Sequence, residues 1–158
     1  MASVVRGLIE YSGIDNCVRN KMKNFRQINF ESTFSVPPQK LDMEQIVKVY
    51  GKTEILKYEI IETPVGKSLE GQEVTGYKVL VSGDIHYKIQ YVANEPTQSV
   101  HTFHQCMPFC GYVVLPKKFN KGAYINPSAL IEDITVEQVD NRCVYSNITL
   151  LLVVDISC

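Results

Sequence analysis

The chain has no tryptophan, no long apolar run and no surplus of charge of either sign, and each of these gaps excludes something. With 16 Lys and Arg against 17 Asp and Glu, there is no basic excess to neutralise phosphates, so nucleic acid is not an expected partner. Nothing approaches the roughly twenty consecutive apolar residues of a membrane span. The longest apolar run, Ile148 to Val154 broken by Thr149, fits a buried strand instead. The apolar stretch near the start, Val4 to Ile9, is short and interrupted by Arg6, and no small-residue cleavage pattern follows it. A soluble chain without a signal peptide, made in the cytoplasm, is the expectation. Internal repeats, low-complexity tracts and charge blocks are missing as well, which argues for one compact domain in 158 residues.

What is present is alternation. From Gly76 to Tyr91, Tyr77, Val79, Val81, Ile85, Tyr87, Ile89 and Tyr91 alternate with Lys78, Ser82, Asp84, His86, Lys88 and Gln90. A period of two held this long predicts half-buried strand, apolar side inward. Ile28, Phe30, Phe34 and Val36 mark an earlier strand, stopped by Pro37-Pro38. Leu41 to Gln45 reads as a helical turn with Asp42 as N-cap. Ile46 to Tyr50 and Glu54 to Glu62 are strand-like, with Gly51 as a bulge or bend between them. Thr63 to Gly66 and Glu70-Gly71 punctuate a hairpin whose partner strand is Val74 to Leu80, and Ser82-Gly83-Asp84 interrupts the stretch after it. Ser99 to Cys106, Gly111 to Leu115, Ser128 to Val139 and Cys143 to Ile156 follow at the spacing of a sandwich or barrel. The predicted fold is therefore all-β, a single-domain β-sandwich or jelly-roll-like unit of about eight strands. Residues 1–24 form an N-terminal segment with its own character, which packs on the domain or reaches a neighbouring subunit. Residues 25–158 form the β domain.

The residues that could carry chemistry do not assemble into an enzyme by pattern. His101, His104, Cys106 and Cys110 offer soft and borderline ligands that would suit zinc if they converged, and they are a weak candidate metal set. On an extended strand His104 and Cys106 share a face while His101 points away, and no pair of cysteines separated by two residues is present. A catalytic thiolate needs an electropositive setting and an orienting third group, which the pattern does not supply. Glu132 and Asp133 read as one outward and one inward strand residue. The Gly66 to Gly71 loop lacks the glycine and spacer of a phosphate cradle and is flanked by strands. Asn147-Ile148-Thr149 is a glycosylation sequon inside a core strand by pattern. The nine tyrosines admit a sugar-stacking surface, but Tyr58, Tyr77, Tyr87, Tyr91 and Tyr112 lie on predicted strands, where burial is the usual use. No catalytic residue and no cofactor is expected.

Five cysteines, Cys17, Cys106, Cys110, Cys143 and Cys158, are an odd number in a chain without an export signal. Inert reduced thiols are one reading. Bonds between chains, formed once the protein reaches an oxidising place, are the other, and all five are candidates for such cross-links.

Several segments together resemble the SPOCS domain family of spore-coat and spore-morphogenesis proteins in endospore-forming bacteria. They are Ser35-Val-Pro-Pro-Gln-Lys-Leu-Asp-Met-Glu-Gln-Ile46; Thr63-Pro-Val-Gly-Lys-Ser-Leu-Glu-Gly-Gln72 with Thr75-Gly-Tyr77; Gln90-Tyr-Val-Ala-Asn-Glu-Pro-Thr-Gln-Ser-Val-His101; and Ile131-Glu-Asp-Ile134 with Asn147-Ile-Thr-Leu-Leu-Leu152. The resemblance implies a β-rich, non-enzymatic domain at the spore surface, in coat, exosporium or appendage, synthesised in the mother-cell cytoplasm. Its implied partners are copies of itself and other spore-coat proteins. His101 and His104 fall where the family tends to carry histidine, whereas Cys106 and Cys110 replace residues that are usually something else. No LysM domain accompanies the sequence.

Overall fold

A computed structural model describes residues 2–15 and 24–157. Within them the chain forms β1 (Ala2–Arg6), β2 (Ile9–Ile14), β3 (Phe25–Ser35), β4 (Met43–Lys67), β5 (Glu73–Ala93), β6 (Val100–Val114), β7 (Tyr124–Gln138) and β8 (Cys143–Ser157). Two sheets face each other, one of five strands in the order β1-β2-β4-β5-β6 and one of three in the order β3-β8-β7. The expected all-β class and the sandwich architecture are both present.

The alternation seen in the sequence is the packing. On β5, Val79, Val81, Ile85, Tyr87, Ile89, Tyr91 and Ala93 are all buried, and they face Val144, Ile148, Leu150, Leu152 and Val154 of β8 across the sandwich. Each such aliphatic side chain contributes roughly 1.5–3 kcal/mol by leaving water. The apolar run Leu150 to Val154 of β8 follows from its place between β3 and β7, where Leu151 and Val153 are buried along with the inward row. Aromatic rings cluster within the core, where Phe34 lies 5.7 Å from Tyr87 and 6.2 Å from Phe103 between centroids.

Polar contacts also join the layers. Inside it, the Ser146 hydroxyl donates to the Tyr87 hydroxyl at 2.8 Å. The Tyr11 hydroxyl donates to the Val136 carbonyl and accepts from the Val136 N–H. Thr53 donates to the Ala129 carbonyl at 2.6 Å. At one end Arg142 holds the β3–β4 connection: its guanidinium donates to the carbonyls of Val36, Pro37 and Lys40 and to Oδ1 of Asp42 at 2.6 Å.

The N-terminal residues are part of the sandwich. β1 and β2 make a hairpin whose second strand runs parallel to β4, with Glu10, Tyr11 and Ser12 opposite Lys48, Val49 and Tyr50. Across the sandwich Arg6 pairs with Asp133 at 2.6 Å, and Asp15 exchanges hydrogen bonds with the backbone of Ile131. The close approach of β2 to β4 requires glycine: Gly13 has φ +98°, and a Cβ there would sit 2.0 Å from the Gly51 carbonyl oxygen.

Three local expectations are corrected. Leu41 to Gln45 does not turn into a helix, because Asp42 accepts from the side chains of Arg142 and Asn141 in place of helix N–H groups, and β4 begins at Met43. Gly51 is neither bulge nor bend. Tyr50, Gly51 and Lys52 pair in unbroken register with Lys88, Tyr87 and His86, and the missing side chain instead makes room for the terminal methyls of Ile134 and Ile131. The register shifts of β4 fall at Met43/Gln45, Ile46/Lys48, Ile55/Lys57 and Glu62/Val65. Ser82-Gly83-Asp84 does not interrupt β5, which runs unbroken from Glu73 to Ala93, with Gly83 lying beside the Ile55/Lys57 irregularity of its partner.

Candidate functional site

The sheet margins and the outer face of the larger sheet hold the residues that packing does not explain. β6 is the last strand of its sheet, with β5 on one side and, among the described residues, no strand on the other. Its sequence permits that position, since Pro108 cannot donate to a ladder and is tolerated on an edge. Pro127 of β7 has the same standing at the edge of the smaller sheet. An edge as long as β6 presents a row of backbone groups ready to pair with another chain.

β4 and β5 run on past the body of the sandwich as a two-stranded arm that turns over Ser68 to Gln72. Val65, Leu69 and Val74 are exposed along it, and Leu56 and Tyr58 are exposed on β4 where the sheet is still three strands wide. Ion pairs brace the arm, from Lys117 to Glu73 beside the turn at 2.6 Å and from Lys121 to Glu62 at its root at 2.7 Å. Beside that root lies a groove of about 630 Å³ lined by Phe25, Arg26, Pro64, Tyr77, Lys78 and Tyr112 among others. There the Tyr112 ring carries the Arg26 guanidinium 3.8 Å and the Lys78 ammonium 4.7 Å from its centroid.

The cysteines divide by position. Cys106 and Cys110 are exposed free thiols on the outer face of β6, and Cys143 is a half-buried free thiol at the start of β8. Cys17 and Cys158 lie outside the described residues. Cys106 and Cys110 stand four residues apart on one strand, about 13 Å, which is too far for a bond between them.

His101, His104, Cys106 and Cys110 do not converge. His101 is turned to the other face, stacked on Tyr91 at 5.8 Å and hydrogen-bonded to Ser99. His104, Cys106 and Cys110 share the outer face at strand spacing, successive positions being about 7 Å and 13 Å apart. The structure brings Cys106 together instead with Asp84 and His86 of β5, their ligand atoms all within 4.8 Å of one another. Pattern reading along one strand missed this grouping because the register that makes His86 face Cys106 belongs to the pairing of two strands. Burial, reinforced by the carboxylates of Asp84 and Glu54, pushes the Cys106 thiol above its usual range. Of the tyrosines, Tyr87 and Tyr91 are buried, while Tyr58 and Tyr112 are exposed.

A second hollow, about 530 Å³, opens on the same outer face between Ser12, Lys48, Tyr50, Lys88, Gln90 and Thr102. No helix among the described residues is long and apolar enough to cross a membrane.

The structure is thus an all-β sandwich with open margins, a projecting arm and surface thiols. The family comparison makes this specific: the model of the SipL SPOCS domain matches residues 42–139, from the start of β4 through β7. The chain belongs to the SPOCS domain family and is sporulation-related. No curated protein and no solved structure matches it.

Proposed function

We propose that the protein is a non-enzymatic, self-assembling building unit of the spore surface, in coat, exosporium or appendage, made in the mother-cell cytoplasm. The observation that carries the reading is the open edge of β6, fifteen residues long, at the opposite side of its sheet from the β1–β2 hairpin. β6 of one copy pairs with β1 of the next, which extends the larger sheet from subunit to subunit. Contact between two different surfaces does not close on itself unless the rotation happens to do so, and it yields a fibre. The exposed arm and its neighbouring groove supply apolar area to such contacts. Cys110, exposed on the joining strand, and the remaining cysteines lock the joints once oxidised, and other spore-coat proteins dock on the finished surface.

Negative-stain electron microscopy of the purified chain, with gels run with and without thiol, tests this. Filaments, with a ladder that survives detergent and collapses on reduction, are the expected result. A monodisperse monomer at high concentration, giving single bands in both lanes, overturns assembly and cross-linking together.

A second reading is a soluble module that binds a glycan or another spore-coat protein. It is favoured by the hollow around Tyr50, where hydroxyl, amide and ammonium groups surround an aromatic ring. Sugar binding by a monomer that never polymerises would select it.

A further inference from the structure

We propose that Asp84, His86 and Cys106, backed by Glu54, form a zinc-binding site on the outer face of the larger sheet. The four residues come from three adjacent strands and meet through register alone. Glu54 of β4 is opposite Asp84 of β5, and His86 of β5 is opposite Cys106 of β6, so the four occupy neighbouring positions on one face.

The thiolate, the imidazole and the carboxylate of this set already stand close, within 4.8 Å of one another. Tetrahedral zinc, with bonds of about 2.0–2.3 Å, needs its ligand atoms about 3.3–3.8 Å apart. Side-chain rotation on a fixed backbone covers the difference of about 1 Å. The donor chemistry selects the ion: a thiolate with an imidazole suits zinc and its surrogate cobalt, whereas magnesium and calcium require oxygen ligands.

Behind the first three ligands, Oε2 of Glu54 lies 3.1 Å from Nε2 of His86. A carboxylate in that relation to a ligating histidine fixes the ring and raises its basicity. The cluster therefore carries two carboxylates and an ionisable thiol. The charges opposing them are Lys52, which stands opposite His86 across β4 and β5, and Lys88, two residues along β5 from His86; both line the shallow hollow of about 330 Å³ beside Cys106. With the cation bound, the carboxylates that disfavour the thiolate are neutralised and the Cys106 proton is released to solvent.

Through Cys106 the site includes the edge strand β6 itself, and it ties the three strands nearest that edge to one another. It does not depend on polymerisation, and it removes Cys106 from the set of cross-linking thiols.

The test is calorimetric titration of the full chain with Zn²⁺, kept reduced with a phosphine, followed by cobalt substitution and optical spectroscopy. One equivalent bound, and a thiolate-to-cobalt charge-transfer band with the strong visible absorption of tetrahedral cobalt, are expected. Cys106→Ser should abolish the charge-transfer band. His86→Ala and Asp84→Asn should each weaken zinc at least tenfold, and Glu54→Gln by about 10–100-fold. Cys110→Ser and His104→Ala should leave binding unchanged. These side chains lie on the surface, and far-ultraviolet circular dichroism confirms that each variant keeps its sheet. Failure of the wild-type chain to bind zinc, a cobalt spectrum without a thiolate band, or an equal loss in Cys110→Ser overturns the proposal.

Discussion

Replacing Tyr87 by Phe isolates one hydroxyl pair at the centre of the sandwich and tests whether the two sheets are joined there by chemistry as well as by fit. Ser146 is fully buried, Tyr87 is 1% exposed, and their hydroxyls are 2.8 Å apart. Tyr87→Phe keeps the ring against Phe34 but leaves the Ser146 hydroxyl without its partner, and a buried polar group so stranded costs about 1–3 kcal/mol. Ser146→Ala strands the Tyr87 hydroxyl instead and carries a cost of the same order. Removing both hydroxyls removes the unsatisfied group altogether, so the double variant should cost less than the sum of the singles by about 1 kcal/mol or more. Urea unfolding of the reduced chain, followed by circular dichroism with the slope held constant across the set, measures this cycle. In thermal terms each single variant should melt about 2–12 °C lower, at about 2–4 °C per kcal/mol for a chain of this size. Strict additivity, with the double variant as unstable as both singles combined, would refute the claim that the two hydroxyls satisfy each other.

The same tyrosine predicts an alkaline limit. Burial raises the Tyr87 pKa above its ordinary value of 10.0. Below that value both folded and unfolded chains keep the proton, and nothing is lost; above it the unfolded chain ionises while the folded one cannot, so stability falls as pH rises toward the folded pKa. Unfolding measured from pH 8 upward should show that decline, and it should be shallower in Tyr87→Phe. Arg142→Lys should not rescue Arg142→Ala, because one ammonium cannot reach three carbonyls and a carboxylate at once. Both should cost about 1.5–3 kcal/mol by urea unfolding, and a lysine variant as stable as the parent would show the clamp to be dispensable. Gly13→Ala should destabilise by about 3 kcal/mol or more, since it adds positive-φ strain to a contact with the Gly51 carbonyl, and an alanine chain of parental stability would contradict the parallel pairing of β2 with β4. Asp84→Asn should speed alkylation of Cys106 in metal-free protein at pH 8, followed by peptide mass analysis, because it removes a carboxylate that holds the thiol protonated; an unchanged rate would place Asp84 too far from the sulfur to matter.

Strands were legible wherever one face is buried. The row on β5, the apolar run of β8 and the hairpin turn near Gly71 are open to reading, because period and punctuation are local properties of the chain, whereas β6, expected as two strands over Ser99 to Cys106 and Gly111 to Leu115, is a single strand from Val100 to Val114. What misled was punctuation whose cause lies elsewhere. Asp42 imitates a helix cap because nothing nearby in sequence reveals Arg142, and Gly51 imitates a bulge because Ile131 and Ile134 are remote along the chain. The candidate site divides in the same way. That His104 and Cys106 share a face follows from strand geometry alone, but the meeting of Cys106 with Asp84 and His86 depends on register between strands, which no single segment encodes.

The reach of Arg6 across the sandwich also has a consequence in time. β1 and β2 precede the other described strands, yet Arg6 finds its acceptors on β7, 128 and 129 residues later. The β4-β5-β6 meander is built from neighbours and Glu10 of β2 meets Lys48 of β4 early, whereas the Arg6 anchor waits for β7. The tie between the two sheets at this end is therefore among the last to form, and Arg6 is without its carboxylate until Asp133 has been made.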